Sequence, residues 1–141
     1  LKQLMEVLLD MRRSKSRNFC EYGAAAFERY SGEKAWETLL ADINGLEKRY
    51  PEWIRHFENV LVNHVLYMDF PYADKRLSPD DACAGLCLLY STMLAVIAGH
   101  TAVHPEETAF ADARAGLFHL TEHSSFYYNA RVLTGGEWIL I

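Results

Sequence analysis

The stretch from Ala82 to Pro105 constrains the fold more than any other part of the chain, because it contains no Asp, Glu, Lys or Arg. Just before it, residues 78–81 read Ser-Pro-Asp-Asp. This combines an N-cap serine, a proline at the first helical position and acids that suit the positive end of a helix dipole. The pattern predicts a helix from about 79 to 98, with Gly99 just beyond its carboxyl end.

A helix this apolar is either buried in a protein core or crosses a membrane. Ser91, Thr92 and several small residues dilute its apolar character, and no basic residue follows closely to anchor it at a lipid surface. The other predicted helices are amphipathic. We therefore expect a buried central helix in a soluble protein, with no membrane partner.

Apolar residues recur at helical spacing through the rest of the chain. They predict further helices at about 1–14, 18–30, 33–49, 51–69, 105–120 and 124–133. The helix at 51–69 starts at a proline and is apolar on nearly every side, so we expect it to be a second buried central helix. No segment alternates apolar and polar residues. The sequence predicts an all-α, single-domain bundle of six to seven helices over residues 1–141, around two buried central helices.

Charge and cysteine content narrow the functional classes. The net charge of −5 and the pI near 5.6 argue against a nucleic-acid partner. Three cysteines are an odd number without the spacing of a disulfide framework, which favours a reducing compartment and hence the cytoplasm. Cys83 and Cys87 lie one helical turn apart, and we expect them to be buried at a helix interface.

Both ends of the chain are apolar. Leu1 already belongs to an amphipathic pattern, and residues 138–141 read Trp-Ile-Leu-Ile. Exposed apolar ends promote aggregation. We therefore expect the chain to be a piece of a longer protein.

Residues 119–123 match the pattern H-x-x-E-H, in which two histidines one turn apart can bind zinc beside a catalytic glutamate. The further ligand expected from a later helix is missing, since only Glu137 follows, beyond two glycines. We therefore do not expect a metal site here, and His119 and His123 remain weak candidates.

A polar stripe runs along the predicted helix at 51–69. His56, Asn59, Asn63 and Tyr67 share one side, and Glu58 lies on the opposite flank of the apolar face. Polar groups on so apolar a helix are costly to bury unless they are paired. The stripe indicates either a structural network with neighbouring helices or the polar wall of a cleft.

Residues 57–64, Phe-Glu-Asn-Val-Leu-Val-Asn-His, and 69–72, Asp-Phe-Pro-Tyr, resemble the carboxy-terminal region of the flagellin lysine-N-methylase family. That family has a similar E-N-x-x-V-N helix followed by F-P, a long apolar helix with a central tyrosine, and a helix ending in Glu-His. In this chain Tyr90 corresponds to the central tyrosine, and Glu122-His123 corresponds to the Glu-His pair. The order of these features agrees with the family over residues 50–130.

The chain also departs from the family. His119 stands where the family often has an arginine, which leaves an anion-binding role there in doubt. The family's cysteine cluster, of the C-x-x-C…C-C kind thought to bind iron–sulfur, is absent. In the family this cluster lies amino-terminal to the matching region, so its absence also suggests a piece of a longer chain.

The resemblance implies that the parent protein methylates lysine side chains with S-adenosylmethionine, carries an iron–sulfur cluster and acts on a protein such as flagellin. This chain shows neither the cluster nor a glycine-rich methyl-donor loop, so it should be inactive alone. Its expected role is an accessory domain that forms a wall of the substrate site, with the remainder of its own chain as partner. The residues implied for that wall, or for a structural polar network, are Glu58, Asn59, Asn63, Tyr90, Glu122 and His123. We expect Glu58 and His123 to converge in space.

Two alternatives stay open. The first is a small-molecule-binding regulatory domain of TetR-like type, which the abundance of Trp, Tyr and Met would suit and which predicts a large enclosed cavity. The second is a helical protein-interaction domain that uses its apolar ends as the contact surface.

Overall fold

The computed structural model describes residues 1–14, 17–67, 69–72 and 75–117, and these residues form six helices without a strand. The helices are α1 (Lys2–Arg12), α2 (Arg17–Arg29), α3 (Ala35–Arg49), α4 (Trp53–Tyr67), α5 (Pro79–Val103) and α6 (Ala109–Gly116). The all-α prediction is confirmed. The helix predicted at 124–133 lies outside the described residues.

Helix α5 is the centre of the bundle. The Ser78 hydroxyl accepts a hydrogen bond from the Asp81 backbone N–H at 3.1 Å, which confirms the predicted N-cap. Helices α1, α2, α3 and α6 all pack against α5. Its most deeply buried side chains are Leu89, Thr92, Ala95, Val96, Ile97 and Ala98. Thr92 is satisfied within the helix, since its hydroxyl donates to the Leu88 carbonyl at 2.7 Å.

By length and composition alone, α5 is also apolar enough to cross a bilayer. Within the described residues, 67% of its most apolar window is buried inside the protein, and the core helix of a soluble protein meets the same criterion. This helix therefore does not decide where in the cell the protein resides.

Helix α5 ends five residues later than the sequence predicted, at Val103 rather than 98. Gly99 lies inside the helix at a point where Tyr30 approaches it closely, since a Cβ added at Gly99 would be 2.8 Å from the Tyr30 hydroxyl. The helix end is instead satisfied by Arg49 of α3. Its guanidinium donates to the backbone carbonyls of Thr101, His104 and Glu106 at 2.9, 2.7 and 2.6 Å.

Helix α4 is not buried, so the prediction of a second buried central helix is wrong. Only three of its side chains are buried, namely Trp53, Phe57 and His64. By contrast, Leu66 is 72% exposed and Val62 is 54% exposed. The helix is apolar on most sides, but only one narrow face contacts the rest of the described structure, and composition alone cannot reveal which faces have a partner.

The exposure of the two cysteines of α5 also differs from the prediction. Cys83 and Cys87 are both exposed, because they lie on the outward stripe of the amino-terminal half of the helix. The expectation that they pack at a helix interface is wrong. All three cysteines are free thiols, and the Cys20 thiol donates to the Arg12 carbonyl at 2.8 Å, which links α2 to the end of α1.

Candidate functional site

Two of the predicted site residues, Glu58 and Tyr90, come within electrostatic reach of each other where α4 contacts α5. The rings of Phe57 and Tyr90 meet edge to face, with centroids 5.4 Å apart. Burial raises the pKa of the Tyr90 phenol, and the negative charge of Glu58 raises it further. The exposed Glu58 carboxylate therefore lies within electrostatic reach of the half-buried Tyr90.

The sequence placed Glu58 on the opposite flank of the apolar face from Asn59 and Asn63, but the buried face of α4 is narrow, and all three residues lie on one exposed side. On a helical wheel, Glu58, Asn59, Val62, Asn63 and Leu66 share one side, opposite the three buried residues. We call these five residues the α4 outer face. Its polar members are exposed to solvent and do not enter a buried structural network.

The remaining predicted residues are placed as follows. His56, from the polar stripe, faces α6, where its Nδ1 lies 3.2 Å from an Arg114 guanidinium nitrogen and its ring contacts Phe110. Glu122 and His123, together with His119, lie outside the described residues. The convergence of Glu58 with His123 therefore stays a prediction.

A buried ionic network, which the sequence analysis did not single out, joins α2, α3 and α5. Asp42 is only 7% exposed. Its carboxylate accepts two hydrogen bonds from Arg29, one at 2.6 Å, and a third from the Tyr30 hydroxyl at 2.9 Å. The same hydroxyl lies 3.2 Å from the Ala95 carbonyl of α5. Burial and the Asp42 carboxylate both raise the pKa of Tyr30 strongly, so it stays a neutral donor.

The sequence did carry a signal for this network. Asp42 lies on the apolar face of α3 between Leu39 and Leu46, and all three are buried. An acid in that position requires a partner, because an unpaired buried carboxylate is very unfavourable. The identity of the partner was not readable, since Arg29 is one of several arginines on neighbouring helices.

Beside this network is a cleft of about 360 Å³ between α2, α3 and the carboxyl end of α5. We call it the α2–α5 cleft. Its lining residues are Tyr22, Ala25, Ala26, Glu28, Arg29, Thr38, Val96, Gly99, His100, Val103 and His104. Because they come from three helices, their spacing along the sequence gives no sign of the cleft.

Aromatic rings run along one side of the α2–α5 cleft. The His100 and His104 rings stack with centroids 4.1 Å apart, and the Tyr22 ring meets His100 edge-on at 5.0 Å. The His104 Nδ1 lies 3.4 Å from the Glu106 carboxylate. Burial, and next the neighbouring His104, lower the pKa of His100 below its ordinary value of 6.5, while Asp112 and Glu106 oppose this in part. His100 is therefore neutral at pH 7.

The lowered pKa of His100 predicts a pH dependence of stability. Between its folded-state pKa and about 6.5 the unfolded chain binds more protons than the folded one, so the free energy of unfolding falls as the pH is lowered through this interval. Urea unfolding at about pH 7.5 and about pH 5.5 measures the loss. We expect a smaller loss in His100→Gln than in the original chain. Equal losses in the two proteins would show that His100 does not titrate in this way.

The described residues do not fit an iron–sulfur cluster. Cys83 and Cys87 lie on α5 and Cys20 on α2, and within the described part of the chain no group of three or more His, Cys, Asp or Glu side chains can hold a metal ion. An iron–sulfur cluster requires about four converging thiolates or their equivalents. Any such cluster would have to be held outside the described residues.

Comparison of the chain with protein-family models, with curated proteins and with solved structures gives no match. Functional inference therefore depends on the chain's own residues and geometry.

Proposed function

We propose that this chain is the helical accessory domain of a protein lysine-N-methylase, and that the α4 outer face forms one wall of the site for the substrate protein. The observation that carries the proposal is the exposed Glu58 carboxylate within electrostatic reach of the half-buried Tyr90. The methyl donor and the iron–sulfur cluster would be held by the remainder of the parent chain, so this domain contributes binding and not the transfer step.

The chemistry of the α4 outer face suits a lysine side chain. A carboxylate attracts an ammonium group, and an aromatic ring stabilises a nearby cation through its π face. The side-chain carbonyls of Asn59 and Asn63, farther round the helix, can accept hydrogen bonds from the backbone of the same peptide. Val62 and Leu66, both exposed, offer apolar contact to the residues that flank the lysine.

Binding of a lysine peptide tests this role. The probe is a short flagellin-like peptide with one central lysine, titrated into the ¹⁵N-labelled chain and followed by NMR. We expect saturable shifts on α4 and near Tyr90, and about three- to tenfold weaker binding to Glu58→Gln, as suits one partly solvated charge pair. The same peptide with acetyl-lysine should bind weakly to both proteins, because it has lost its charge.

Glu47→Gln is the matched control, since it removes the same charge from an exposed position of α3. If Glu58→Gln and Glu47→Gln weaken the peptide equally, the effect is general electrostatics and the proposed wall is wrong. Binding that ignores both the lysine charge and Glu58 would favour the alternative of a general helical interaction domain.

The family assignment has a separate test. Sequencing the codons upstream of Leu1 should reveal a cysteine cluster if the parent is a lysine methylase. A helix-turn-helix there would favour the TetR-like alternative. That alternative predicts a large enclosed cavity, whereas the α2–α5 cleft is open, with Ala25, Glu28 and Val103 of its lining exposed.

A further inference from the structure

The α2–α5 cleft is separate from the α4 outer face and plays no part in the function proposed above. Its residues come from α2, α3 and the carboxyl half of α5, whereas α4 meets α5 through the contact of Phe57 with Tyr90. At about 360 Å³ the cleft lies near the lower end of the ~300–1,000 Å³ range of small-molecule sites. It therefore has room for a small ligand.

The walls of the cleft are fixed before any ligand arrives. Arg29 is held by two hydrogen bonds to Asp42, and Tyr30 packs against Gly99 so closely that a side chain there would collide with it. Arg49 ties the end of α5 to α3 just beyond His100. A site whose walls are already ordered loses less conformational entropy on binding.

The shape and surface of the cleft suit a flat ring. Val96 and Ala26 form a deeply buried apolar part of the lining, at 1% and 3% exposure. Tyr22, His100 and His104 form the aromatic side described above. Aromatic faces and edges interact favourably with another aromatic ring at centroid distances of about 4.5–7 Å.

The charges around the cleft favour a cationic group over an anionic one. Arg29 is the positive group in the lining, and its charge is matched by Asp42. His100 is neutral at pH 7 because burial and His104 lower its pKa. Glu28 at the exposed rim is negative, and Glu106 and Asp112 act on His100 from outside the lining. Arg49 adds a positive charge just beyond His104, and Glu106 is paired with His104, so the negative charge that a ligand meets is that of Glu28 at the exposed rim.

We propose that the α2–α5 cleft binds a small aromatic amine, with its ring against the side formed by Tyr22, His100 and His104 and its ammonium directed to Glu28. The ring buries apolar surface against the apolar part of the cleft lining, and the ammonium stays partly solvated at the rim. The cleft is thereby a ligand site distinct from the wall formed by α4.

The test uses three probes that separate ring from charge: tryptamine, indole-3-acetate and butylamine. Each is titrated into the chain while the His and Tyr ring signals are followed by ¹H–¹³C NMR. We expect saturable shifts of His100, His104 and Tyr22 with tryptamine, and at least about tenfold weaker binding of the other two probes, since one lacks the cation and the other the ring. Equal binding of indole-3-acetate, or shifts centred on Tyr90, would overturn the proposal.

Two variants locate the site. Glu28→Gln should weaken tryptamine about three- to tenfold, as expected for a solvated charge pair, while Glu47→Gln should leave it unchanged. Ala25→Phe, at an exposed position of the lining, should fill the cleft and abolish the shifts without altering the thermal midpoint. Tryptamine that still binds Ala25→Phe normally does not occupy this cleft. The lysine-peptide titration of the α4 outer face is unaffected by either result, so the two proposals fail independently.

Discussion

Replacing Asp42 with alanine should lower the free energy of unfolding by about 2–4 kcal/mol. The substitution leaves the Arg29 guanidinium and the Tyr30 hydroxyl without their carboxylate partner, at a position that is only 7% exposed. Removing one member of a buried ion pair typically costs about 3–5 kcal/mol. The lower bound here is smaller, because the Arg29 side chain is 30% exposed and can recover part of its hydration.

Urea unfolding followed by circular dichroism measures this loss, with Asp10→Ala as the control. Asp10 is an exposed acid on α1, and its replacement should change stability by no more than about 0.5 kcal/mol. Combining Asp42→Ala with Tyr30→Phe should cost less than the sum of the two single changes, because both disrupt one network. Strict additivity, or equal losses in the Asp42 and Asp10 variants, would show that the network contributes little.

Two glycine-to-alanine substitutions should change the stability of the protein in opposite directions. A Cβ at Gly23 of α2 would lie 2.4 Å from the Met11 Cβ and 3.1 Å from the Arg12 backbone nitrogen. Neither neighbour is the flexible end of a side chain, so α1 must move as a body, at a cost of about 1–3 kcal/mol. A Cβ at Gly45 of α3 meets nothing within 4 Å, so the gain in helix propensity should stabilise the protein by about 0.5–1 kcal/mol.

Thermal unfolding of the two variants side by side provides the measurement. Because each is an alanine inside a helix, intrinsic propensity is matched and only the surroundings differ. We expect Gly23→Ala to melt below the original chain and Gly45→Ala above it. A stabilised Gly23→Ala protein would mean that α1 and α2 are not in close contact.

The sequence predicted those parts of the fold that depend on local signals. The start of α5 follows from a serine, a proline and two acids in consecutive positions, and the structure has that N-cap. The end of α5 could not be read in the same way. It depends on Arg49, which is far away in sequence and satisfies the last carbonyls of the helix. Gly99 had the residue type of a helix terminus but is required for the approach of Tyr30.

Burial was harder to predict than helicity. Apolar content correctly placed α5 in the core but gave the same expectation for α4, whose Leu66 and Val62 are exposed. Periodicity shows which residues share a helix face, and only the arrangement of neighbouring helices determines which face is covered.

The candidate functional residues were also predicted only in part. Glu58 and Tyr90 were both singled out from sequence, and the structure brings them within electrostatic reach of each other. The α2–α5 cleft was not predicted, since residues such as Tyr22, Thr38 and His104 become neighbours only after three helices pack.

The contact of Arg49 with three carbonyls at and just beyond the end of α5 has a consequence for how the protein opens. Helix α3 cannot detach without exposing those carbonyls and, through Asp42, the Arg29 and Tyr30 side chains as well. Fraying of α3 alone is therefore unfavourable, and we expect α2, α3 and the carboxyl half of α5 to open together. Helix α4, with much of its surface in solvent, lies outside that unit and can adjust to a partner while the α2–α5 cleft keeps its shape.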